Sequence, residues 1–213
     1  TRIHNGITIY AISHTQTISD NTFSDGKKAL TLLNPQGFYD IKVHYNDFTN
    51  CDMGIQIRNG RSHIFANSFL DCGQAVQALD FARSIRFESN FIGGSNNTET
   101  GFGFEITSPN YGEVAIAGNA FNNTITGFHA DKAAATLQCN YFYHNRQAID
   151  ALHSGNLNIS SIVPSSGISL ANGNPFLGGY NYFNIPTNKK GIRITTPWHL
   201  VSPNFLNSYI NLR

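Results

Sequence analysis

Three acid–base side chains recur at one place in a short sequence pattern. Glu105, His129 and Asp150 each occupy the polar position of a Gly/Ala–apolar–polar–apolar stretch, and successive stretches lie 24 and 21 residues apart. If these stretches were strands stacked in register, the two carboxylates would be about 10 Å apart at the backbone. That separation is loosely compatible with an inverting glycosidase. The imidazole between them would instead suit proton abstraction in a lyase.

Other polar side chains accompany this candidate catalytic group along the sequence. In the lyase interpretation, Lys132 or Arg146 would neutralise a sugar acid. The residues expected to bind substrate are Gln56, Gln77, Asp131, Lys132, Arg146 and His153. The alternative is structural, because an outward row must be polar somewhere and Glu, His and Asp on adjacent strands make a hydrogen-bonded stack.

An internal repeat would bring these strands together. The template apolar-x-x-Asn-x-apolar fits at Asn21, Asn46, Asn67, Asn90, Asn119 and Asn140. Typically eight residues after the Asn, a Gly or Ala opens a second short strand. Nine such strands recur at spacings of 19 to 28 residues, which is the length of a solenoid repeat.

The template has a physical explanation in a solenoid. Strands of two to four residues are too short to be stable alone. The Asn is expected to adopt the left-handed conformation at a sharp bend, and its amide to bond to the next coil. The Phe two residues later is expected to point inward, and the tiny residue to enter the wall where space is tight. The outward row then contains Thr8, Thr31, Gln56, Gln77, Glu105, His129, Asp150, Ser169 and Arg193.

The spacing and the Asn-x-Phe…Gly-Ile-x-Ile pattern resemble the right-handed parallel β-helix repeat of the pectate-lyase-like superfamily, over nearly the whole chain. The resemblance implies an all-β solenoid of about nine coils with an Asn ladder. It also implies that the Gly-led strands border a saccharide-binding groove, which the insertion Gly93–Phe102 would wall. A β-sandwich or a leucine-rich repeat is the alternative, although the latter needs several Leu per unit and a helical segment.

The catalytic signatures of that superfamily are missing from the sequence. There is no Asn-Thr-Asp or Gly-His-Gly of polygalacturonase type, no acidic cluster of a calcium-dependent lyase, and no Asp-Pro-His of an epimerase. The sequence therefore favours a non-catalytic extracellular or cell-surface domain for adhesion or polysaccharide binding, similar to long secreted bacterial β-helix proteins. A polysaccharide lyase or glycoside hydrolase, as a secreted enzyme or phage tailspike, is the alternative. A purely structural segment is a third possibility.

Composition narrows the choice of partners. Charged residues make up 13% of the 213 residues and the net charge is +1, so a nucleic-acid partner is not expected. No apolar run is long enough to span a membrane. No zinc-like Cys/His spacing or nucleotide-cradling loop is present, and neither cofactor nor metal is expected. Residues 1–213 are expected to form one domain of a longer chain, with flanking segments that cap its end strands. The alternative is that Trp198 and Tyr209 form the cap themselves.

Two further groups of residues leave alternatives open. Cys51 and Cys72 share a repeat position, so their Cα atoms would be about 5 Å apart, within the range of a disulfide. Stacked buried thiols are favoured, because register alone does not aim the two side chains at each other. Basic residues also cluster weakly after the third and fourth Gly/Ala-led strands, as a solvated face or as a patch for acidic sugars: Arg58, Arg61 and His63, then Arg83 and Arg86 with Asp80.

Overall fold

The structure is a computed structural model, and it describes residues 6–10, 13–34, 38–95, 100–107 and 114–152. It also describes the backbone of the strands at 157–159, 169–170, 182–184 and 190–195, and only the backbone at 80–83. Within these ranges the chain forms β-strands, turns and bends. No helix capable of crossing a membrane occurs in them.

Each coil contributes to three parallel sheets, numbered here by their order within a coil. Sheet 1 contains β1 (Ile7–Tyr10), β4 (Lys28–Leu33), β11 (Thr100–Thr107), β14 (Thr124–Asp131), β17 (Gln147–Leu152) and β21 (Lys190–Thr195). Sheet 2 contains β2 (Gln16–Ser19), β5 (Asp40–His44), β12 (Val114–Ala117), β15 (Ala135–Gln138), β18 (Leu157–Ile159) and β19 (Ser169–Leu170). Sheet 3 contains β3 (Thr22–Ser24), β6 (Asp47–Thr49), β8 (Ser68–Leu70), β10 (Phe91–Gly93), β13 (Ala120–Asn122), β16 (Tyr141–Tyr143) and β20 (Tyr182–Asn184).

Two strands, β7 (Met53–Phe65) and β9 (Gln74–Glu88), run through sheets 1 and 2 without interruption. The register between them shifts at Gly60, which has a φ of 86°. A Cβ on Gly60 would lie 2.4 Å from the buried side chain of Asn34, so this corner requires glycine. The expectation of two- to four-residue strands therefore holds for sheet 3. It is wrong for β4, β11, β14, β17 and β21 of sheet 1, which have six to eight residues. It is also wrong for β7 and β9, where a bulge bends a continuous strand.

The parallel all-β solenoid expected from the repeat is confirmed. In the part of the chain that the structure describes, it completes about six turns, fewer than the nine expected. One strand was assigned to the wrong sheet. Ser169 pairs with Asn158 in sheet 2, whereas Arg193 pairs directly with Asp150. Ser169 is therefore not part of the outward row of sheet 1.

The Asn ladder is confirmed, but the bend before it is made by another residue. The residue immediately preceding each ladder Asn has a positive φ, for example 54° at Tyr45 and 53° at Ala66. The expectation that Asn itself adopts the left-handed conformation was wrong. Because the preceding residue turns the chain, each of the five Asn side chains from Asn46 to Asn140 can point inward, where they are at most 3% exposed.

A second ladder fills the core behind sheet 3. The Phe23, Phe48 and Phe69 rings stack at 4.9 and 4.7 Å, each pair inclined by 7°. Small residues of sheet 1 pack on this ladder, as expected. A Cβ on Gly127 would lie 2.7 Å from the Ala148 carbonyl oxygen and 2.8 Å from the Phe142 ring, so the wall closes tightly there.

Candidate functional site

The outward row of sheet 1 exists as the repeat predicted. Gln56 pairs with Gln77, Gln77 with Glu105, Glu105 with His129, and His129 with Asp150. The three candidate catalytic side chains therefore lie on three successive coils, about 5 Å apart along the axis. Thr8 and Thr31 continue the row at its other end.

Hydrogen bonds link the side chains of the row from the cations Lys28 and Arg58 to the Glu105 carboxylate. Lys28 Nζ and Arg58 Nε donate to Gln56 Oε1 at 2.8 and 3.3 Å. Gln56 Nε2 donates to Gln77 Oε1 at 3.0 Å, and Gln77 Nε2 donates to Glu105 Oε2 at 2.9 Å. Gln74 donates to the same carboxylate oxygen. The Glu105 carboxylate is thus held by two side-chain amides.

The end of the row that contains His129 and Asp150 is more enclosed. His129 Nδ1 lies 3.3 Å from Asp150 Oδ2, and the two side chains are 12% and 7% exposed. The pair is close but not aligned as a hydrogen bond, since His129 Nδ1 has no hydrogen-bond partner among the described atoms. The Phe102 ring packs edge-on against the His129 ring at 5.6 Å. His129 and Asp150 form a covered pair, with little surface left for a substrate.

The expected substrate-binding residues divide between the row and its edges. Asp131 lies two residues after His129, in register with Thr107 and Leu152. Lys132 is exposed at the bend that ends β14, and Arg146 is exposed at the turn before β17, so they occupy opposite edges of sheet 1. His153 lies outside the described residues.

The insertion that was expected to wall the row is described only at its ends. Ser95 N donates to Asp71 Oδ1 at 2.6 Å, and Asn123 Nδ2 donates to the Ser95 carbonyl at 3.0 Å. These bonds hold its beginning against the turns of the two neighbouring coils. Residues 96–99 lie outside the described part, so the expected wall stays a prediction.

A second group of outward side chains lies on sheet 2 and was only partly identified from the sequence. Three residues from each of β5, β7 and β9 pair in register. We call this group the sheet 2 patch; it contains Asp40, Lys42, His44, Arg61, His63, Phe65, Ser84, Arg86 and Glu88. The signal was available, since these residues lie two, four and six positions before the ladder asparagines Asn46, Asn67 and Asn90.

Cys51 and Cys72 are unbonded thiols, each 1% exposed. The sulfur atoms lie beside backbone carbonyl oxygens, Cys51 Sγ 3.6 Å from that of Thr49 and Cys72 Sγ 3.5 Å from that of Leu70. A hydrogen bond from Cys72 lowers the pKa of the Cys51 thiol to about 7 despite burial. The same bond and burial raise the pKa of Cys72.

A comparison of the chain with known protein families gave one match that covers most of its length. Residues 1–188 match the family model described as periplasmic copper-binding protein (NosD). The chain belongs to the NosD family. This is a family of right-handed parallel β-helix proteins, which agrees with the resemblance seen in the sequence. No curated protein and no solved structure gave a significant match.

The family description raises the question of whether these residues fit copper. Protein copper sites draw on thiolate, thioether and imidazole ligands. Among the described residues, no three or more His, Cys, Asp or Glu side chains converge to hold a metal ion. Cys51 and Cys72, the two soft donors on neighbouring coils, are buried in the wall, and their sulfur atoms lie against backbone carbonyl oxygens. The donor set of the described residues does not fit a copper centre.

Proposed function

We propose that this chain is an exported, non-catalytic β-helix domain that binds a linear polysaccharide along the outward row of sheet 1. The observation that supports this proposal is the straight alignment of side chains in the row. These side chains repeat at one strand spacing in a straight line, in which Thr31, Gln77 and Glu105 are half-buried and reach solvent. Gln56 and Asp150 in the same line are only 5% exposed. A polymer of repeating sugar units can meet such a line at many points, whereas a small molecule meets only one or two of them.

The state of the candidate catalytic groups favours binding over turnover. The Glu105 carboxylate is occupied by the Gln74 and Gln77 amides. Asp150 is nearly buried beside His129. All three side chains stand in one flat row, whereas inverting hydrolases place their two carboxylates on opposite sides of the scissile bond.

Family membership supports the location. A family described as periplasmic works beyond the cytoplasmic membrane, which suits a domain that meets glycans of the cell envelope or outside the cell. Display at the cell surface for adhesion is the more specific form of this proposal. It would be tested by labelling intact cells with an antibody against the chain.

The binding proposal is tested on a panel of neutral and acidic glycans with two readouts. Isothermal titration calorimetry is expected to show saturable binding, and assays for reducing ends and unsaturated products are expected to show no cleavage. Gln77→Ala should weaken sheet 1 binding by roughly tenfold, the worth of about one hydrogen bond with its neighbours. Gln138→Ala, a half-buried outward glutamine on sheet 2, is the matched control.

Two results would overturn the proposal. Cleavage of any glycan that is lost in both His129→Ala and Glu105→Gln would make the row an active site. Equal affinities for Gln77→Ala and Gln138→Ala would remove the row from binding.

A further inference from the structure

We propose that the sheet 2 patch is a separate binding site for a linear anionic polysaccharide, whose acidic groups contact Lys42 and Arg86. The site is on a different sheet from the row of sheet 1, and it does not depend on that row. Strand register places the residues that carry it.

Lys42, His63 and Arg86 are direct neighbours on three successive parallel strands. His63 lies between the two cations and contacts Glu88, so Lys42 and Arg86 do not oppose each other directly. The two cations lie on one line along the helix axis, where a single extended anion can contact both.

The acidic residues of the patch compensate only some of its cations. Arg61 Nε lies 3.2 Å from Asp40 Oδ1, and His63 Nε2 lies 2.8 Å from Glu88 Oε2. Lys42 and Arg86 are exposed and make no ion pair with another described residue. Its three lysine and arginine side chains, Lys42, Arg61 and Arg86, outnumber its two carboxylates, Asp40 and Glu88, so the patch keeps a net positive charge.

The geometry favours a polymer over a small anion. Lys42 and Arg86 are two strand spacings apart, about 10 Å at the backbone, with His63, which contacts Glu88, between them. A chain with an acidic group on successive units can contact both when it runs along the helix axis. Beyond Arg86 and Glu88 the next strand carries Ala115 and Ala117, whose small side chains leave that end of the patch open.

Aromatic rings beside the cations favour a glycan as the polymer. The Phe65 ring lies between the rings of His44 and His63, with centroids at 4.6 and 4.5 Å. Tyr45, which is 60% exposed, stands edge-on to Phe65 at 6.1 Å. The exposed Tyr45 ring and the half-buried Phe65 ring offer an apolar surface with polar edges, which suits the C–H face of a pyranose. A net charge of +1 for the whole chain gives little of the broad phosphate attraction that nucleic-acid binding needs.

The experiment compares polygalacturonate with its fully methyl-esterified, uncharged form by isothermal titration calorimetry on the intact chain. The acidic polymer is expected to bind, with an affinity that falls as salt rises. Lys42→Ala and Arg86→Ala should each weaken binding by roughly two- to fivefold, and the double variant by roughly tenfold, as for exposed ion pairs. Lys27→Ala removes the same charge from an exposed turn and should leave the affinity unchanged.

Each other outcome overturns the proposal. It is wrong if polygalacturonate does not bind, if the esterified polymer binds equally well, or if Lys42→Ala behaves as Lys27→Ala does. Single-stranded DNA that binds as tightly as polygalacturonate would show a general anion surface. Gln77→Ala on sheet 1 separates the two proposals, because it should leave binding of polygalacturonate at sheet 2 intact.

Discussion

At the residue scale, the amide of each buried ladder asparagine connects three coils. Asn67 Nδ2 lies within 3.0 Å of the Val43 carbonyl, the Phe65 carbonyl and Asn90 Oδ1. Its Oδ1 accepts from the backbone N–H and the side-chain Nδ2 of Asn46, both at 3.0 Å. One side chain thus satisfies buried backbone groups that no strand pairing reaches.

Asn67→Ala should therefore lower the free energy of unfolding by about 3 kcal/mol, since it leaves several buried polar groups without partners. Urea denaturation followed by circular dichroism measures this. Asn122→Ala, an outward half-buried position on sheet 3, should change stability by less than about 0.5 kcal/mol. Similar losses for both variants would contradict the role given to the ladder.

The stacked thiols give a pH dependence with a defined sign. The pKa of Cys51 is lowered to about 7 chiefly by the hydrogen bond from Cys72, whereas an unfolded cysteine titrates near 8.5. Between these values the folded chain binds fewer protons at Cys51, so this contribution to stability is present above about pH 8.5 and is lost as the pH falls through about 7.

The titration of the Cys51 thiol is measured by thiolate absorbance in a Cys139→Ser background. Cys72→Ala removes the donor, so the pKa of Cys51 should move up towards or above that of a free cysteine. An unchanged titration in Cys72→Ala would show that the thiol pair is not coupled.

At the element scale, sheet 2 supplies an aromatic residue in the one coil where the inward row of sheet 3 has none, and this keeps the core filled. The inward row of sheet 3 is Phe23, Phe48, Phe69, Ile92, Phe121 and Phe142. In the coil where Ile92 interrupts the phenylalanines, sheet 2 carries Phe87 in place of an aliphatic residue. The Phe87 ring packs 6.4 Å from both Phe69 and Phe121 and 5.0 Å from Phe104.

This exchange predicts strong coupling between the two positions. Ile92→Phe should destabilise the chain by about 1–3 kcal/mol, because two rings cannot fit in one coil. Phe87→Ile should be destabilising too, because it leaves a void. The double variant restores one ring and one aliphatic side chain, and should recover at least about 1 kcal/mol of the summed loss in a double-mutant cycle. Additive losses would show that the two side chains do not share one space.

The sequence could predict the elements because few residues determine each one. Asn67 and Phe69 define a sheet 3 strand, and the small residue at Ala75 marks where sheet 1 resumes. The left-handed bend was assigned to Asn67 because Asn tolerates that conformation, yet Ala66 adopts it with a φ of 53°. The side-chain bonds of Asn67 require the bend to come earlier, and no propensity scale contains that constraint.

The positions of the candidate site residues could be predicted from the sequence, but the hydrogen bonds between their side chains could not. Counting from the asparagines placed Gln77, Glu105 and His129 in one row. Their pairing with one another depends on side-chain length and on neighbours such as Gln74, which are not fixed by spacing. The sheet 2 patch was identified only as scattered basic residues, because positions were counted forward from the asparagines to the Gly/Ala-led strands and not backward to Lys42, His63 and Arg86.

At the scale of the whole molecule, the chain is a stack in which each coil contacts its neighbours. Such a stack gives straight rows of side chains on every outward face, and both proposed sites are rows of this kind. Residue identity in the rows can vary without altering the winding, since the inward Asn and Phe ladders hold the coils. This separation explains how a family described by copper binding can include a chain whose described residues gather no copper ligands.

The measurement that tests the winding most directly is a distance between labels on one outward row of sheet 3. Asp47 and Tyr141 are exposed and are linked by four successive register pairs. Spin labels at these positions, with the native cysteines replaced by threonine, should give a narrow distance distribution near 19 Å, four strand spacings, by double electron–electron resonance. A broad distribution, or a mean far above that value, would contradict in-register winding and with it both binding surfaces.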